Sequence, residues 1–144
     1  MSVFEPLVST LLNYVVRVCS VLALGLFLHQ RFVREPGYSI HRLVGRLSPL
    51  VVVPLFFAVT LRGMLNAAEG AGPMKVMYAL HLIVGTIFFL CYGYAYQAAR
   101  SAWLLPVTSD ARAALFREHG QFARWAFAAL LLSLALGVGS WLSA

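Results

Sequence analysis

VMYALHLIVGTIFFLCYGYAYQ, residues 76–97, decides what kind of protein this is. The stretch contains no Asp, Glu, Lys or Arg. At 1.5 Å per residue a helix of that length runs about 33 Å, enough for the ~30 Å hydrocarbon core of a bilayer. It holds one histidine, His81, and a glycine, Gly85, follows one helical turn later.

Outward from this stretch the same texture recurs at residues 7–28, 43–65 and 122–142. The chain of 144 residues is 61% hydrophobic and only 11% charged, whereas a soluble domain averages about 45–50% apolar and about 25% charged. The expected fold is therefore all-α: a four-helix integral membrane bundle forming one domain over residues 1–144. Short connectors make neighbouring helices antiparallel, up-down-up-down. Pro49 and Pro54 fall inside the second span and are expected to kink it, since membrane helices tolerate proline. The start, MSVFEP, has no basic region, so the first span is not expected to behave as a cleavable signal. The segment 101–120 is expected to be a loop holding a short amphipathic helix from near Asp110.

The net charge of +6 does not point to nucleic acid, because the basic residues are spread over the ends of the spans rather than gathered on a soluble element. Arg31, Arg34, Arg42 and Arg46 lie in or at the edge of the connector between the first two spans, and Arg100, Arg112, Arg117 and Arg124 in or at the edge of the one between the last two. In or at the edge of the middle connector there are only Arg62 and Lys75. Eight against two places the first and third connectors in the cytoplasm and both termini outside, as in a bacterial inner or plasma membrane. Trp103 and Trp125 then fall at the inner interface and Trp141 at the outer one.

HRLVGRL, residues 41–47, repeats the pattern of HLIVGTI, residues 81–87: a histidine at the mouth of an apolar run and a glycine four residues on. His29, His41 and His119 sit at the cytoplasmic edge, His119 opening the fourth span with Ala123 one turn on. His81 is about six residues into its span from the outer side, about 9 Å deep. Neutral imidazole is a common axial ligand of haem. Gly45 and Gly85 lie on the same face as their histidines, where the missing side chain admits either a flat macrocycle or a neighbouring helix. His41 and His119 share an edge and can flank one haem; His81 is at the other end. An outer site around His81 would draw on Met64, with Met74 and Met77 on the same side, for haem or for copper, which thioether and imidazole suit. Cys19 and Cys91 lack metal-ligand spacing and are expected to pack as small hydrophobes.

Arg17 lies near the middle of the first span, on a polar stripe with Thr10, Asn13 and Ser20 at three- and four-residue spacing. A charge at the bilayer centre costs about 2.5–3.5 kcal/mol on the lenient insertion scale. The acidic residues Glu5, Glu35, Glu69, Asp110 and Glu118 all lie outside the four spans. Arg17 therefore needs a propionate, backbone carbonyls, a lipid phosphate or another subunit.

Asn13, His41 with Arg42, Tyr78 with His81, and His119 followed by Ala123, Arg124 and Trp125 stand in the order seen in a family of small four-helix membrane proteins implicated in haem–copper oxidase maturation. The chain resembles this CtaM-like group, and more broadly the transmembrane b-type cytochromes with four-helix cores. Gly120, Gln121 and Phe122 fill the spacing where that group has a further basic residue beside the histidine. The resemblance implies a haem-b-binding membrane protein serving electron transfer or oxidase assembly. His41 and His119 would be inner axial ligands and His81 an outer ligand. Arg42, Arg46, Arg62 and Arg17 would neutralise propionates. Two other expectations stand beside it: a cofactor-free accessory subunit of a larger membrane complex, docked through the stripe at Arg17, and a copper-handling membrane protein. The chain shows no nucleophile, acid–base pair or phosphate loop of an independent enzyme.

Overall fold

The computed structural model describes the backbone of residues 4–32, 38–69 and 73–142, with side chains for residues 13–29, 41–64 and 76–137 and for Val8, Thr10 and Leu11. Among the described residues the chain is helical and has no strand. It divides into two compact units, residues 1–71 and 72–144.

The first unit contains α1 (Phe4–Phe32), α2 (Tyr38–Leu47) and α3 (Pro49–Glu69). α1 packs on α3, and the buried positions of the two helices are dominated by Ala23, Phe27, Val52, Leu55 and Ala58. α2 and α3 are separated by Ser48 alone. The expected second span, 43–65, has both prolines in its interior; Pro49 instead takes the first position of α3, and only Pro54 lies inside a helix.

The junction has a local cause. Proline carries no N–H, so Pro49 cannot bond the carbonyl one turn back, at Gly45. Ser48 Oγ donates to that carbonyl at 2.8 Å. The ladder continues on either side, from Ser48 N to Val44 O at 2.9 Å and from Val52 N to Ser48 O at 2.9 Å. A neighbouring serine that takes up a carbonyl freed by proline is how a helix keeps its polar groups satisfied in lipid. Ser48 is itself buried.

The second unit is a hairpin of α4 (Pro73–Ala102) and α5 (Asp110–Leu142). Proline suits the first helical position of α4, where its missing N–H would have no partner anyway. The two helices run antiparallel, because residues advancing along α4 meet residues receding along α5. His81 lies against Gly137 and Gly85 against Ser133. Tyr94 stacks on Phe122 at 5.3 Å, and Trp103 meets Phe116 edge-on at 5.6 Å. Small residues hold the helices close: Ala95, Ala98 and Ala102 on α4, and Ala126 and Ala129 on α5, are buried.

α5 is longer than expected. The amphipathic helix expected near Asp110 and the span expected from 122 are one continuous helix of 33 residues. Gly120 is the only weak helix former near the junction, at a cost of about 1 kcal/mol relative to Ala. Ser109 caps the start, its carbonyl accepting from Ala113 N at 3.3 Å, and Asp110 suits the positive end of the helix dipole. The connector, residues 103–109, is a compact turn. The Arg112 guanidinium lies 5.0 Å from the Trp103 ring and 5.5 Å from that of Phe116, and donates to Leu105 O at 3.2 Å.

Three helical stretches are long and apolar enough to cross a membrane: His41–Met64, Val76–Ala102 and Asp110–Gly137. In α1 the corresponding apolar stretch with described side chains is shorter, Asn13–His29; the expected first span begins on residues whose side chains lie outside the described set. Val21 and Leu50 are each 72% exposed. Surfaces of this kind belong in lipid, where there is no penalty for leaving large apolar side chains uncovered.

Candidate functional site

His119 is the best-anchored of the expected ligands. It lies in the interior of α5, in the third turn, rather than at the mouth of the helix. Its Nδ1 stands 2.9 Å from the backbone carbonyl of Ala95 on α4. A carbonyl oxygen has no proton to give, so Nδ1 carries the hydrogen and donates. In the neutral form of the ring this hydrogen bond leaves the lone pair on Nε2. Histidines that ligate metals almost always anchor the opposite ring nitrogen in this way, which fixes both tautomer and ring orientation. α5 positions this ring because Ala95 and its neighbours are small enough for the helices to approach within a hydrogen bond.

His81 has a different environment. Its ring occupies the α4–α5 interface with the backbone of Ser133 as a polar neighbour. Its Nδ1 is enclosed and makes no hydrogen bond among the described residues. A Cβ placed on Gly137 would stand 3.3 Å from Cε1 and 3.7 Å from Nδ1. Gly85, where the sequence leaves room for either a macrocycle or a helix, faces α5: a Cβ there would be 3.9 Å from Ser133 Oγ. On this side of His81 the space is filled by α5. Ala95 is 14 residues beyond His81 on α4, so the His119 and His81 levels are about 21 Å apart and cannot serve one metal.

Between those levels α4 carries an aromatic ladder. Phe88 and Tyr92 have ring centroids 6.2 Å apart, and Tyr92 and Tyr96 6.3 Å. Phe88 and Tyr92 are buried, so this wall keeps the stretch between the two histidines apolar. Nothing in the sequence reading singled it out, although the four-residue spacing of 88, 92 and 96 is a visible signal.

The remaining expected residues belong to the first unit. His41, Arg42 and Arg46 are exposed on α2, with Gly45 half-buried one turn from His41. On α3 Arg62 is half-buried and Met64 exposed. On α1 Thr10 and Arg17 are exposed, Asn13, Ser20 and His29 half-buried. Among the described residues Arg17 makes no hydrogen bond or ion pair. The side chains of Met74 and Trp141 lie outside the described set. Cys19 and Cys91 are half-buried free thiols.

Among the described residues no three His, Cys, Asp or Glu side chains gather as a metal site. Axial ligation of haem asks for fewer protein ligands, and His119, an imidazole anchored through Nδ1, is of the chemistry that role needs. No family model, no curated protein and no solved structure matches the chain.

Proposed function

We propose that this chain is an integral membrane protein of a bacterial inner or plasma membrane, crossing it four times with both termini outside, and that it binds haem b in electron transfer or respiratory oxidase assembly. The observation that carries the reading is the hydrogen bond between His119 Nδ1 and the Ala95 carbonyl. It holds the imidazole at a fixed angle and places a hydrogen on Nδ1. His119 would be one axial ligand, and His41 is the second that the sequence offers. Arg42 and Arg46, on the same short helix as His41, would meet propionates, with Arg62 and Arg17 as further cations. Haem supplies a one-electron iron centre. The chain's own part is to set the tautomer of His119, to keep water out with the small-residue seam of α4 and α5, and to neutralise carboxylates with arginine.

A reduced-minus-oxidised visible spectrum of the protein purified from haem-replete membranes tests this. A Soret and α band is expected, lost in His119→Ala and in His41→Ala and kept in His29→Ala. Absence of haem from the intact protein would overturn the reading, as would a spectrum indifferent to both substitutions.

The exposure of Arg17 favours a second reading, an accessory subunit without a cofactor. A charge on the outer face of a membrane helix, with no carboxylate partner among the described residues, suits a partner helix that carries an acid. Arg17→Leu would then release the partner while the spectrum of the protein, with or without haem, stays the same.

A further inference from the structure

An open groove of about 610 Å³ runs along one flank of the α4–α5 hairpin, lined by Val84, Ile87, Gln121, Arg124, Trp125 and Ala128 and continued by Ala129 and Leu132. We infer that this groove is a binding site for one anionic phospholipid, its phosphate held by Arg124 and Gln121 and an acyl chain lying along the apolar floor. The inference needs only the membrane embedding of the hairpin and is independent of haem.

The polarity of the groove is graded. Its charged and amide groups, Arg124 and Gln121, stand at the end nearer the α4–α5 connector, together with the Trp125 indole. Its deeper end is wholly aliphatic: Val84, Ile87 and Leu132. From Gln121 to Leu132 the groove covers eleven helical steps, about 16 Å. That is about half the ~30 Å hydrocarbon thickness, the depth of one leaflet. A soluble anion would have no use for the floor, and a neutral lipid none for the guanidinium.

The charge is also unanswered. Among the described residues Arg124 makes no hydrogen bond or ion pair, and it is exposed, as are Gln121 and Trp125. The connector end of the hairpin already carries Arg100, Arg112 and Arg117, a cationic surround that draws anionic headgroups. Tryptophan at the level of the headgroups is the usual membrane-interface arrangement. The site is separate from the anchored histidine. At about 100° per residue, Arg124, Ala128 and Leu132 stand roughly 140–220° round α5 from His119, which faces Ala95.

Native mass spectrometry of the full-length protein in mild detergent, delipidated and then titrated with phosphatidylglycerol or with phosphatidylcholine of the same acyl chains, tests the inference. Phosphatidylglycerol is expected to bind about fivefold better, the factor equivalent to about 1 kcal/mol for one arginine near an anionic headgroup. Arg124→Gln should abolish that preference. Ala128→Phe, which fills the floor at an exposed position, should weaken both lipids. Glycerophosphoglycerol, the headgroup without acyl chains, should not compete. Equal binding of the two lipids by the unaltered protein would overturn the inference, and so would a preference that survives Arg124→Gln. Full competition by the chain-free headgroup would show a site for soluble phosphate instead. An Ala128→Cys variant that cross-links to residues 4–69 in the membrane would show the groove filled by the chain itself, and would equally overturn it.

Discussion

His81 and Gly137 are fitted to each other: a single carbon added to Gly137 would stand 3.3 Å from His81 Cε1. This distance is tighter than ordinary packing, so a methyl requires the imidazole to move by a few tenths of an ångström. Gly137→Ala is expected to be tolerated at a small cost, and Gly137→Leu to destabilise the hairpin by about 1–3 kcal/mol, the usual range for overpacking. His81→Ala should relieve much of the Gly137→Leu penalty, because the two changes share one volume and do not add. Unfolding of the four proteins in mixed micelles measures the coupling. Strict additivity would show that the ring and the glycine are not in contact.

Ser48 is expected to matter more than a surface serine. Its hydroxyl serves the Gly45 carbonyl that Pro49 leaves without a donor. Ser48→Ala should cost about 1–2 kcal/mol, since it strands an acceptor away from water. Pro49→Ala in the same background should restore the stability, because the backbone N–H at 49 can then bond Gly45 itself. Thermal or denaturant midpoints of the single and double variants decide this; an unrescued Ser48→Ala would put the cost elsewhere.

Arg17→Leu is expected to leave membrane insertion intact or improved, because it removes a charge that costs about 2.5–3.5 kcal/mol at the centre of a span. It should also loosen whatever answers the guanidinium, by up to about 3–5 kcal/mol if the remaining group is a buried charge. Native mass measurement of the variant reports both cofactor occupancy and bound subunits. Full retention of each would mean that the guanidinium simply reaches the headgroups.

Reporter fusions after Gly70 and after Ala144 are both expected to read as outside. The expectation follows from the arginines at residues 31–46 and 100–124. A cytoplasmic reading at either position would overturn the edges assigned to His41 and His81.

The helices themselves were legible because their causes are local. Length and apolarity of residues 76–97 give α4 directly, and the Ser48–Pro49 dipeptide marks the α2–α3 junction, although a kink within one helix was expected where a one-residue break occurs. The run from Asp110 to Phe122 misled for the opposite reason. Its charges suggest a surface loop, yet it contains no residue that stops a helix, so backbone propagation carries α5 through it. His119 thereby moves from a helix mouth into a helix interior.

Sequence by itself determined that this is a helical membrane protein with histidines, and one arginine, where apolar residues would be expected. It also gave the spacing that puts Gly45 and Gly85 under His41 and His81. Only the tertiary structure decided what those spacings are used for within the hairpin. Gly85 admits α5, Gly137 admits the His81 ring, and His119 gains the Ala95 carbonyl that holds its Nδ1 hydrogen. The physical reason is that periodicity fixes which residues share a face of one helix. The partner of that face is chosen by close packing between segments far apart in the chain, where one carbon at Gly137 or one carbonyl at Ala95 changes the chemistry of a ring on the other helix.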